Sequence, residues 1–335
     1  MKELSIPQIV DLASAFYGSS VLFSAAELGV FKAIEDAGGA ADAEQVARET
    51  GCSIRGMRML MDSAVAIGLL KKECGSYSNT AAGKASLVPG APADLSNALF
   101  YNRDVYPAWG RLSEFVKHGT PVEPPTVHLG EDAQRTRRFA LSMRGRALAI
   151  GRAVTGMLDL SGCSRMLDLA GGPGTYAELI CRANPGLNCV TVDLPAISAV
   201  AAELVAEAGL SDRIECRSGD YHTDEYEAES YDVVTIFGAL HQESPESITA
   251  ILGRAWRALR HGGKIFILDM MTDGTDTAPA FSTLFGLNMA LTTDNGWVFS
   301  DEALKGWMAE AGFTPGRTEA APPPMPHWLV CGVKE

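Results

Sequence analysis

The second half of the chain alternates between short apolar runs and segments with the period of an amphipathic helix. The helical segments cover about residues 176–183 and 247–259, and each stands between two apolar runs. The apolar runs have the length of buried strands, and they lie at residues 166–168, 189–193, 214–220, 232–237 and 264–269. Because strands that alternate with helices usually pair in parallel, the pattern predicts an α/β domain with a doubly wound sheet.

The first of these strands ends in an acid and leads into a glycine-rich turn. Asp168 is followed closely by Gly171, Gly172 and Gly174. Glycines let a backbone turn sharply and approach a ligand where a Cβ atom would collide. The helix that follows the turn also offers free backbone N–H groups. This stretch therefore predicts a nucleoside-binding loop.

Polar residues also end the other predicted strands. Asp193 lies at the distance from the glycine turn where ribose-binding carboxylates occur in βαβ units. Asp220 ends the third strand, where a carboxylate could accept a hydrogen bond from an adenine amino group, while His241 follows the fourth strand and Asp269 ends the fifth. Ligands of open α/β folds bind at the carboxyl edge of the sheet, so these side chains predict a site there.

The glycine turn alone leaves the nucleoside open. Residues 172–177 satisfy the G-x-G-x-x-A form of the dinucleotide fingerprint, which is also typical of nicotinamide-dependent dehydrogenases. A dinucleotide fold needs a second mononucleotide half after the first. The Gly-Asp and Leu-His features that follow Asp193 do not fit such a half, so the position of the motif argues against a dehydrogenase.

The first half of the chain is predicted to be mostly helical. Amphipathic helices fit residues 23–31, 42–51 and about 54–67, and a short hairpin fits residues 68–73 with 76–80. This order is typical of a winged-helix domain.

A winged helix raises the possibility of a DNA-binding regulator. Its candidate contacts would be four cations in the third helix and the wing: Arg55, Arg58, Lys71 and Lys72. The formal net charge of the chain is −13, and its pI is about 5.0. Since DNA affinity depends on neutralising phosphates, this charge disfavours the regulator and favours a solvated face for the cations.

Composition narrows the class of protein further. The chain has 335 residues and is 47% hydrophobic, which is enough for two domains with sizeable cores. We find no signal-peptide pattern and no uncharged apolar stretch that we expect to span a bilayer, so we expect a soluble cytoplasmic protein. The seven cysteines never form C-x-x-C, and the six histidines form no H-x-x-x-H pattern. We therefore expect reduced thiols and no metal site.

The motifs of the C-terminal half, taken in order, resemble those of the S-adenosylmethionine-dependent O-methyltransferases of the caffeic acid and acetylserotonin type. The matching segments are residues 168–174, 193–195, 208–213, 219–220, 240–241 and 310–313. The resemblance implies a class I methyltransferase fold, Rossmann-like and doubly wound, preceded by a mostly α winged-helix dimerisation domain. It also implies S-adenosyl-L-methionine as cofactor with S-adenosyl-L-homocysteine as product, and a homodimer without a nucleic acid or membrane partner.

The resemblance also implies domain bounds and site residues. Residues 1–95 would form the dimerisation domain, 96–150 a helical linker with a Pro-rich loop at 121–125 and part of the acceptor pocket, and 151–335 the cofactor-binding domain. The implied cofactor-binding residues are Asp168, Gly171, Gly172, Gly174, Asp193, Leu194, Gly219, Asp220, Tyr221 and Phe237. The implied acceptor-binding residues are Tyr101, Asn102, Phe139, Met143, Phe285, Asn288 and Met289. Aromatic and Met walls with a few amides suit a small aromatic or heteroaromatic hydroxyl compound.

The predicted chemistry centres on His241. Methyl transfer from a sulfonium needs alignment and a nucleophilic acceptor, and a phenol with a pKa of about 10 is largely protonated at neutral pH. A histidine can take that proton during attack, and Asp269 could orient the imidazole. We therefore expect transfer of a methyl group to an acceptor hydroxyl, with His241 as general base and Asp269 as its support.

Three departures from the family pattern leave alternatives open. Gln242-Glu243 stands where relatives have Asp-Trp, and Val298 stands where plant phenolic relatives have a second glutamate. Ala170 replaces the first loop glycine, a change that we expect a strand-end position to tolerate. The alternatives are S- or N-methylation, non-methylating chemistry on the same cofactor such as hydroxylation or decarboxylation, and the winged-helix regulator.

Overall fold

The computed structural model describes residues 3–91, 93–124, 132–323 and 326–335. Its contacts divide the chain into two compact units, Met1–Arg103 and Asp104–Glu335. The boundary between them lies inside a helix, Ser96–Trp109. The domain bounds at residues 95 and 150 stay predictions, and Pro125 of the predicted Pro-rich loop lies outside the described residues.

The first unit is helical apart from one hairpin. Its elements are α1 (Ile6–Ser14), α2 (Phe16–Glu27), α3 (Val30–Asp36), α4 (Ala43–Glu49), α5 (Ile54–Ala66), β1 (Leu70–Glu73), β2 (Ser76–Asn79), α6 (Ala81–Ser86) and the start of α7 (Ser96–Trp109). Side-chain caps fix two of the helix starts, because Asp42 accepts a hydrogen bond from the Gln45 N–H and Ser53 accepts one from the Gly56 N–H. The helices at 42–51 and 54–67 and the hairpin are therefore confirmed.

The predicted helix over residues 23–31 is wrong as a single element. The chain leaves α2 at Leu28, and Gly29 adopts a left-handed backbone with φ of +71° before α3 begins. Glycine adopts this conformation at little cost, so it ends one helix and starts the next at a new angle. The apolar period continues across the break because both helices face the same core.

The wing cation Lys72 is held within its own domain. Its Nζ atom lies 2.5 Å from Asp62 Oδ1, which also accepts a hydrogen bond of 2.7 Å from the Tyr77 hydroxyl. These hydrogen bonds hold the pKa of Asp62 below its usual range. The arrangement supports the interpretation of this cation as part of a solvated protein face.

Helix α1 exposes an apolar surface. The exposed side chains are Ile6, Ile9, Val10 and Leu12 in α1, followed by Phe16 and Tyr17 at the start of α2. By length and composition, Ile6–Glu27 is the one segment of the described chain that is apolar enough to cross a membrane. The segment contains Asp11 and Glu27, so it is not an uncharged stretch of the kind that the sequence analysis did not expect.

The second unit is built around one sheet. After the end of α7, its elements are α8 (Leu112–His118), α9 (Ala133–Met157), β3 (Arg165–Leu169), α10 (Thr175–Ala183), β4 (Asn188–Asp193), α11 (Pro195–Glu207), β5 (Ile214–Ser218), β6 (Tyr231–Phe237), α12 (Pro245–Ala258), β7 (Leu259–Thr272), α13 (Ala280–Thr292), β8 (Phe299–Ser300), α14 (Asp301–Glu310), β9 (Thr314–Ala320) and β10 (His327–Val333). The main path of the sheet runs β5-β4-β3-β6-β7-β10-β9, and β8 pairs with β7.

The five strands predicted from the apolar runs pair in parallel, and β10 pairs with β7 and β9 in the antiparallel sense. Both sheet faces are covered: Leu167 and Leu169 join a cluster with residues of α12 and α14, whereas Met166 joins one with residues of α9 and α10. Alternate residues of one strand point to opposite faces, so both faces are buried. The predicted doubly wound α/β fold is confirmed.

Strand β7 differs from its predicted bounds at both ends. It begins at Leu259, and its pairing with β6 shifts register before Lys264, so His261-Gly262-Gly263 forms an irregular part of the strand. It continues to Thr272, so Asp269 lies inside the strand and not at its end. Leu268 pairs with Phe237, the last residue of β6, and Asp269 is therefore still level with the carboxyl edge of the sheet.

Candidate active site

The loop after β3 requires glycine at its second position. A Cβ atom on Gly171 would collide with Thr191 Oγ1 and lie 2.5 Å from Asp168 Oδ2. A Cβ atom on Gly172, by contrast, would meet no atom within 4 Å, so the backbone there borders open space. Gly172 and Gly174 adopt left-handed backbones with φ of +56° and +71°. The loop has the shape that close approach of a ligand requires.

Ala170 is strained in this loop. Its φ is +54°, in the left-handed region where a Cβ atom clashes with the following carbonyl. The loop therefore holds the alanine, as expected, but with a backbone strain that the sequence does not predict. The position is not an extended strand end but the first left-handed residue of the turn.

Asp168 joins three strands below the loop. Its Oδ1 atom accepts a 2.7 Å hydrogen bond from Thr235 on β6, and its Oδ2 atom accepts a 3.1 Å hydrogen bond from Thr191 on β4. The carboxyl is almost fully buried, and burial raises its pKa to about 6 although both hydrogen bonds lower it. This geometry gives Asp168 a role in holding the sheet edge. Its contact with the cofactor stays a prediction.

Asp193 lies directly at the glycine loop. Its Oδ2 atom accepts a 2.7 Å hydrogen bond from the Gly172 N–H, and its Oδ1 atom accepts a 2.8 Å hydrogen bond from the Leu194 N–H. Burial raises the pKa of Asp193 to about 6, against these two bonds. The structure thus brings the second strand-end acid together with the loop, as the sequence predicts.

The Gly-Asp segment after β5 also has a tight backbone. A Cβ atom on Gly219 would collide with Asp224 Oδ2 and lie 2.9 Å from Val192 Cγ1. Asp220 Oδ1 accepts a 2.9 Å hydrogen bond from the His222 N–H and lies 2.7 Å from His222 Nδ1. Burial favours the neutral acid, but the bonds from His222 outweigh it and hold the pKa of Asp220 below its usual range.

A buried carboxylate that the sequence interpretation missed lies beside this segment. Glu243 Oε1 accepts a 2.7 Å hydrogen bond from the Tyr221 hydroxyl, and Oε2 lies 2.9 Å from His222 Nε2. Ser247 donates a third hydrogen bond, of 2.6 Å, to Oε2. The only sequence signal for this cluster is the run of titratable residues that follows Gly219, together with the departure at Glu243.

His241 and Asp269 form a buried pair. His241 Nδ1 lies 2.7 Å from Asp269 Oδ1, and the His241 N–H donates a 3.2 Å hydrogen bond to Oδ2. The Met270 N–H also donates to Oδ1, at 2.8 Å. The exposed fractions of His241 and Asp269 are 8% and 1%. The pairing therefore fixes the ring and leaves Nε2 as its second nitrogen.

Helix α13 provides one wall beside this histidine. The Phe285 ring packs edge-on against the His241 ring, with 5.0 Å between centroids. Asn288 and Met289 are also buried, and Asn288 Oδ1 accepts a 2.8 Å hydrogen bond from Trp109 Nε1. Of the predicted acceptor-binding residues, the structure places Phe285 in direct contact with the candidate base.

The other predicted residues lie in different surroundings. Phe139 packs against an apolar cluster that includes Ile197 of α11, and Phe237 packs edge-on against Tyr176. Met143 is half-buried on α9. Tyr101 and Asn102 belong to the first unit, where Tyr101 is buried and Asn102 is exposed. Their roles toward acceptor or cofactor stay predictions.

The loop after α13 contacts the backbone of the histidine turn. The Trp297 N–H donates a 3.0 Å hydrogen bond to the His241 carbonyl, and Trp297 Nε1 donates a 2.7 Å hydrogen bond to the Glu243 carbonyl. Val298 packs against α13, with Cγ2 3.1 Å from the position of a Cβ atom on Gly286. An apolar side chain therefore stands where the sequence comparison with plant relatives expected an acid.

Comparisons with known proteins show the family to which the chain belongs. The sequence profile of the O-methyltransferase domain matches residues 116–314, and that of the O-methyltransferase dimerisation domain matches residues 10–89. The chain is 30% identical to 3-hydroxy-5-methyl-1-naphthoate 3-O-methyltransferase of Streptomyces sahachiroi, over 97% of this chain and 94% of that protein. It is also 30% identical to the tetracenomycin polyketide synthesis 8-O-methyl transferase TcmO of Streptomyces glaucescens, over 94% of each.

A solved structure has the same fold. Human N-acetylserotonin methyltransferase, crystallised in complex with S-adenosylmethionine, superposes with a TM-score of 0.89 at 24% identity. The match covers 99% of this chain and 98% of the human chain.

Proposed function

Because the chain belongs to the O-methyltransferase family, whose members are S-adenosylmethionine-dependent enzymes, we propose that it methylates a hydroxyl group of a small aromatic or heteroaromatic acceptor with His241 as the general base. The observation that carries the proposal is the buried His241–Asp269 pair at the carboxyl edge of the sheet. Its Phe285 wall is of the kind that a flat, mostly apolar acceptor needs.

The glycine loop fits the cofactor that the family uses. The open space beside Gly172 admits a ligand to the backbone, and the Asp193 carboxylate is held at the same turn. When bound, the cofactor supplies an electrophilic methyl group on a sulfonium. We infer that Asp193 binds the ribose hydroxyls, because a carboxylate makes strong charge-assisted hydrogen bonds to such donors. We also infer that Asp220 accepts a hydrogen bond from the adenine amino group.

His241 is built to take a proton at one nitrogen. Because Asp269 holds Nδ1, Nε2 remains for the acceptor hydroxyl. The Asp269 carboxylate stabilises the imidazolium that forms, while the Met270 and His241 N–H groups fix the carboxylate itself. Because Val298 is apolar, it adds no second carboxylate beside His241, and Asp269 is the carboxylate that supports the base.

The test is to replace the base without removing the cofactor site. We expect His241→Gln to lower methyl transfer by roughly 10²–10⁴-fold while binding of S-adenosylhomocysteine stays nearly unchanged. The residual rate should rise with pH, because an acceptor that is already ionised bypasses the missing base. Asp269→Asn should give a milder form of the same defect. A suitable first acceptor is the hydroxynaphthoate named for the Streptomyces sahachiroi relative.

The matched control is His261→Gln, the same change at an exposed histidine in the irregular part of β7. It should leave turnover unchanged. If His241→Gln turns over a confirmed acceptor within a few-fold of the unchanged protein, the general-base assignment is wrong, and transfer by alignment alone takes its place. S-adenosylhomocysteine binding without methylation of any hydroxyl would favour S- or N-methylation or the non-methylating alternatives.

A further inference from the structure

We propose that Glu243 and His222 act together as positioning residues for the cofactor's adenine, by holding Asp220 and Tyr221 in place through a buried carboxylate–imidazole pair. The proposal rests on the proposed function, because it assumes that Asp220 faces the adenine. These residues lie outside the His241–Asp269 pair, and they make the affinity for the cofactor depend on the charge of His222.

The geometry forms a continuous chain of polar contacts. Both ring nitrogens of His222 face carboxylate oxygens: Nδ1 lies 2.7 Å from Asp220 Oδ1, and Nε2 lies 2.9 Å from Glu243 Oε2. Tyr221 stacks on the same ring, with 4.4 Å between centroids, and donates its hydroxyl to Glu243. Glu243 therefore fixes two neighbours of Asp220 from a different loop of the sheet edge.

The inner end of this chain of polar contacts is Glu243, which is held in place from several sides. The exposed fraction of Glu243 is 6%, and Ser247 on α12 and Tyr221 both donate to its carboxylate. The Trp297 indole fixes the Glu243 backbone carbonyl. The outer end is more accessible, since the His222 and Asp220 side chains are 45% and 43% exposed. The buried Glu243 carboxylate thus holds the half-exposed Asp220 side chain in position through His222.

The charge of the His222 ring decides whether this chain of polar contacts stays intact. An imidazolium can donate from both nitrogens, whereas a neutral ring presents a lone pair to one of the two carboxylates. Burial disfavours the charged ring, but the bonds to Glu243 and Asp220 outweigh it and raise the pKa of His222. Above that pKa, one of the two carboxylates loses its hydrogen bond from the His222 ring, and the two acids are no longer bridged by a cation.

Other charged groups act on the same cluster more weakly. Arg254 of α12 lowers the pKa of Asp220, and Asp193 of β4 raises that of Tyr221. Asp224 accepts a 3.0 Å hydrogen bond from the Asp220 N–H and so fixes the backbone of the segment. None of these three side chains bridges Asp220 to Glu243 in the described structure, which leaves that link to His222.

The arrangement explains the departure at Glu243. The family resemblance implies a tryptophan at this position, packed near the adenine. Here a carboxylate occupies the position, and it is satisfied by the tyrosine and histidine that follow Asp220. Here a polar contact that supports Asp220 thus replaces an apolar contact with the adenine.

The experiment measures S-adenosylhomocysteine binding by calorimetry from pH 6 to 9, without any acceptor. We expect His222→Gln and Glu243→Gln each to weaken binding at least tenfold at pH 6.5. The double variant should bind S-adenosylhomocysteine little more weakly than either single variant, because both changes break the same chain of polar contacts. Affinity of the unchanged protein should fall as pH rises through the His222 pKa, since the charged ring is the competent form. That fall should be absent in His222→Gln, whereas the opposite rise through the Asp193 pKa of about 6 should remain in both proteins.

Two controls separate the outcomes. Glu215→Gln makes the same chemical change in an exposed ion pair with Arg217 on β5 and should bind within twofold of the unchanged protein. Asp193→Ala should weaken binding at least tenfold. If Asp193→Ala weakens binding but His222→Gln does not and the pH slope persists, the positioning role is wrong while the proposed function stands. If the unchanged protein does not bind S-adenosylhomocysteine, the proposed function fails first. Should Glu243→Gln not fold, His222→Gln at its half-exposed position decides alone.

Discussion

At the scale of single residues, Ala170 shows a side chain at odds with its backbone. Its left-handed conformation costs an L-residue about 1–2 kcal/mol relative to the right-handed one. The loop keeps this conformation because the two residues that follow Ala170 are held in place. Gly171 lies tightly against Thr191, and the Gly172 N–H donates a hydrogen bond to Asp193. The strain is therefore local, and the surrounding loop imposes it.

We expect Ala170→Gly to stabilise the protein by about 0.5–1 kcal/mol, because relief of the strain exceeds the larger entropy that glycine gives the unfolded chain. The change in the free energy of unfolding can be measured by urea denaturation. The control is Ala206→Gly in α11, where the same replacement in an exposed helical position should destabilise by roughly 0.5–1 kcal/mol. A destabilised Ala170→Gly protein would show that the alanine methyl makes a contact worth more than the strain.

Residues of the site differ in how far sequence alone could predict them. Asp193 and His241 were predictable, because each follows an apolar run that ends at the sheet edge. Glu243 was not, since its partners Tyr221 and His222 are more than twenty residues away in sequence. Such a contact depends on how two loops approach each other, and no local pattern encodes that distance. The cost of Ala170 was missed for a similar reason, because only the folded loop shows its backbone angle.

At the scale of elements, Asp168 makes the central strand depend on its neighbours. The carboxyl on β3 binds hydroxyls from β4 and β6, directly below the glycine loop. In a parallel sheet the backbone bonds alone set the spacing of the strands. The carboxyl adds a second connection at the edge where we propose that the cofactor binds.

Removing one of these hydroxyls should cost stability in a pH-dependent way. Thr235→Val keeps the side-chain shape but leaves the Asp168 carboxylate one donor short, which we expect to cost about 1.5–3 kcal/mol at pH 8. Because the folded pKa of about 6 lies above the unfolded value, the folded state takes up a proton as pH falls, and the cost should shrink below pH 6. Urea denaturation at pH 5 and pH 8 measures the difference.

Thr136→Val on α9 is the control, because the buried Thr136 hydroxyl has no hydrogen-bond partner among the described residues. It should leave the protein equally stable or more stable, because it removes a buried hydroxyl without a partner, and its effect should be the same at both pH values. A Thr235→Val effect that is the same at pH 5 and pH 8 would mean that Asp168 is not the group whose ionisation matters.

The elements that sequence patterns predicted best are those whose ends carry a chemical signal. Asp42 and Ser53 begin α4 and α5 as side-chain caps, and both helices match their predicted ranges. The break at Gly29 and the irregular start of β7 were missed because glycine has several uses, and its neighbours do not say which applies. Tertiary packing decides between a helix end, a turn and a strand irregularity.

At the scale of the whole molecule, the exposed apolar surface of α1 and α2 needs a partner. Its side chains are more than half exposed, from 79% for Ile6 to 51% for Phe16. Apolar surfaces of this kind mark interaction sites in water-exposed proteins. The dimerisation-domain profile covers residues 10–89 and thus includes most of this segment. That match favours a second copy of the chain over a lipid bilayer as the partner that covers it.

We therefore expect the protein to be an obligate homodimer whose interface includes α1. Light scattering after size-exclusion chromatography should give twice the mass of the chain at all concentrations where the fold is intact. Leu12→Asp should weaken the dimer at least tenfold, because an unpaired carboxylate is costly to bury in an interface. Val116→Asp, at an exposed apolar position of α8 outside the dimerisation-domain match, should leave the mass unchanged. A folded protein that runs as a stable monomer, or a Leu12→Asp variant that dimerises as tightly as the unchanged chain, would contradict this interface; retention on phospholipid vesicles in its place would assign the surface to a membrane.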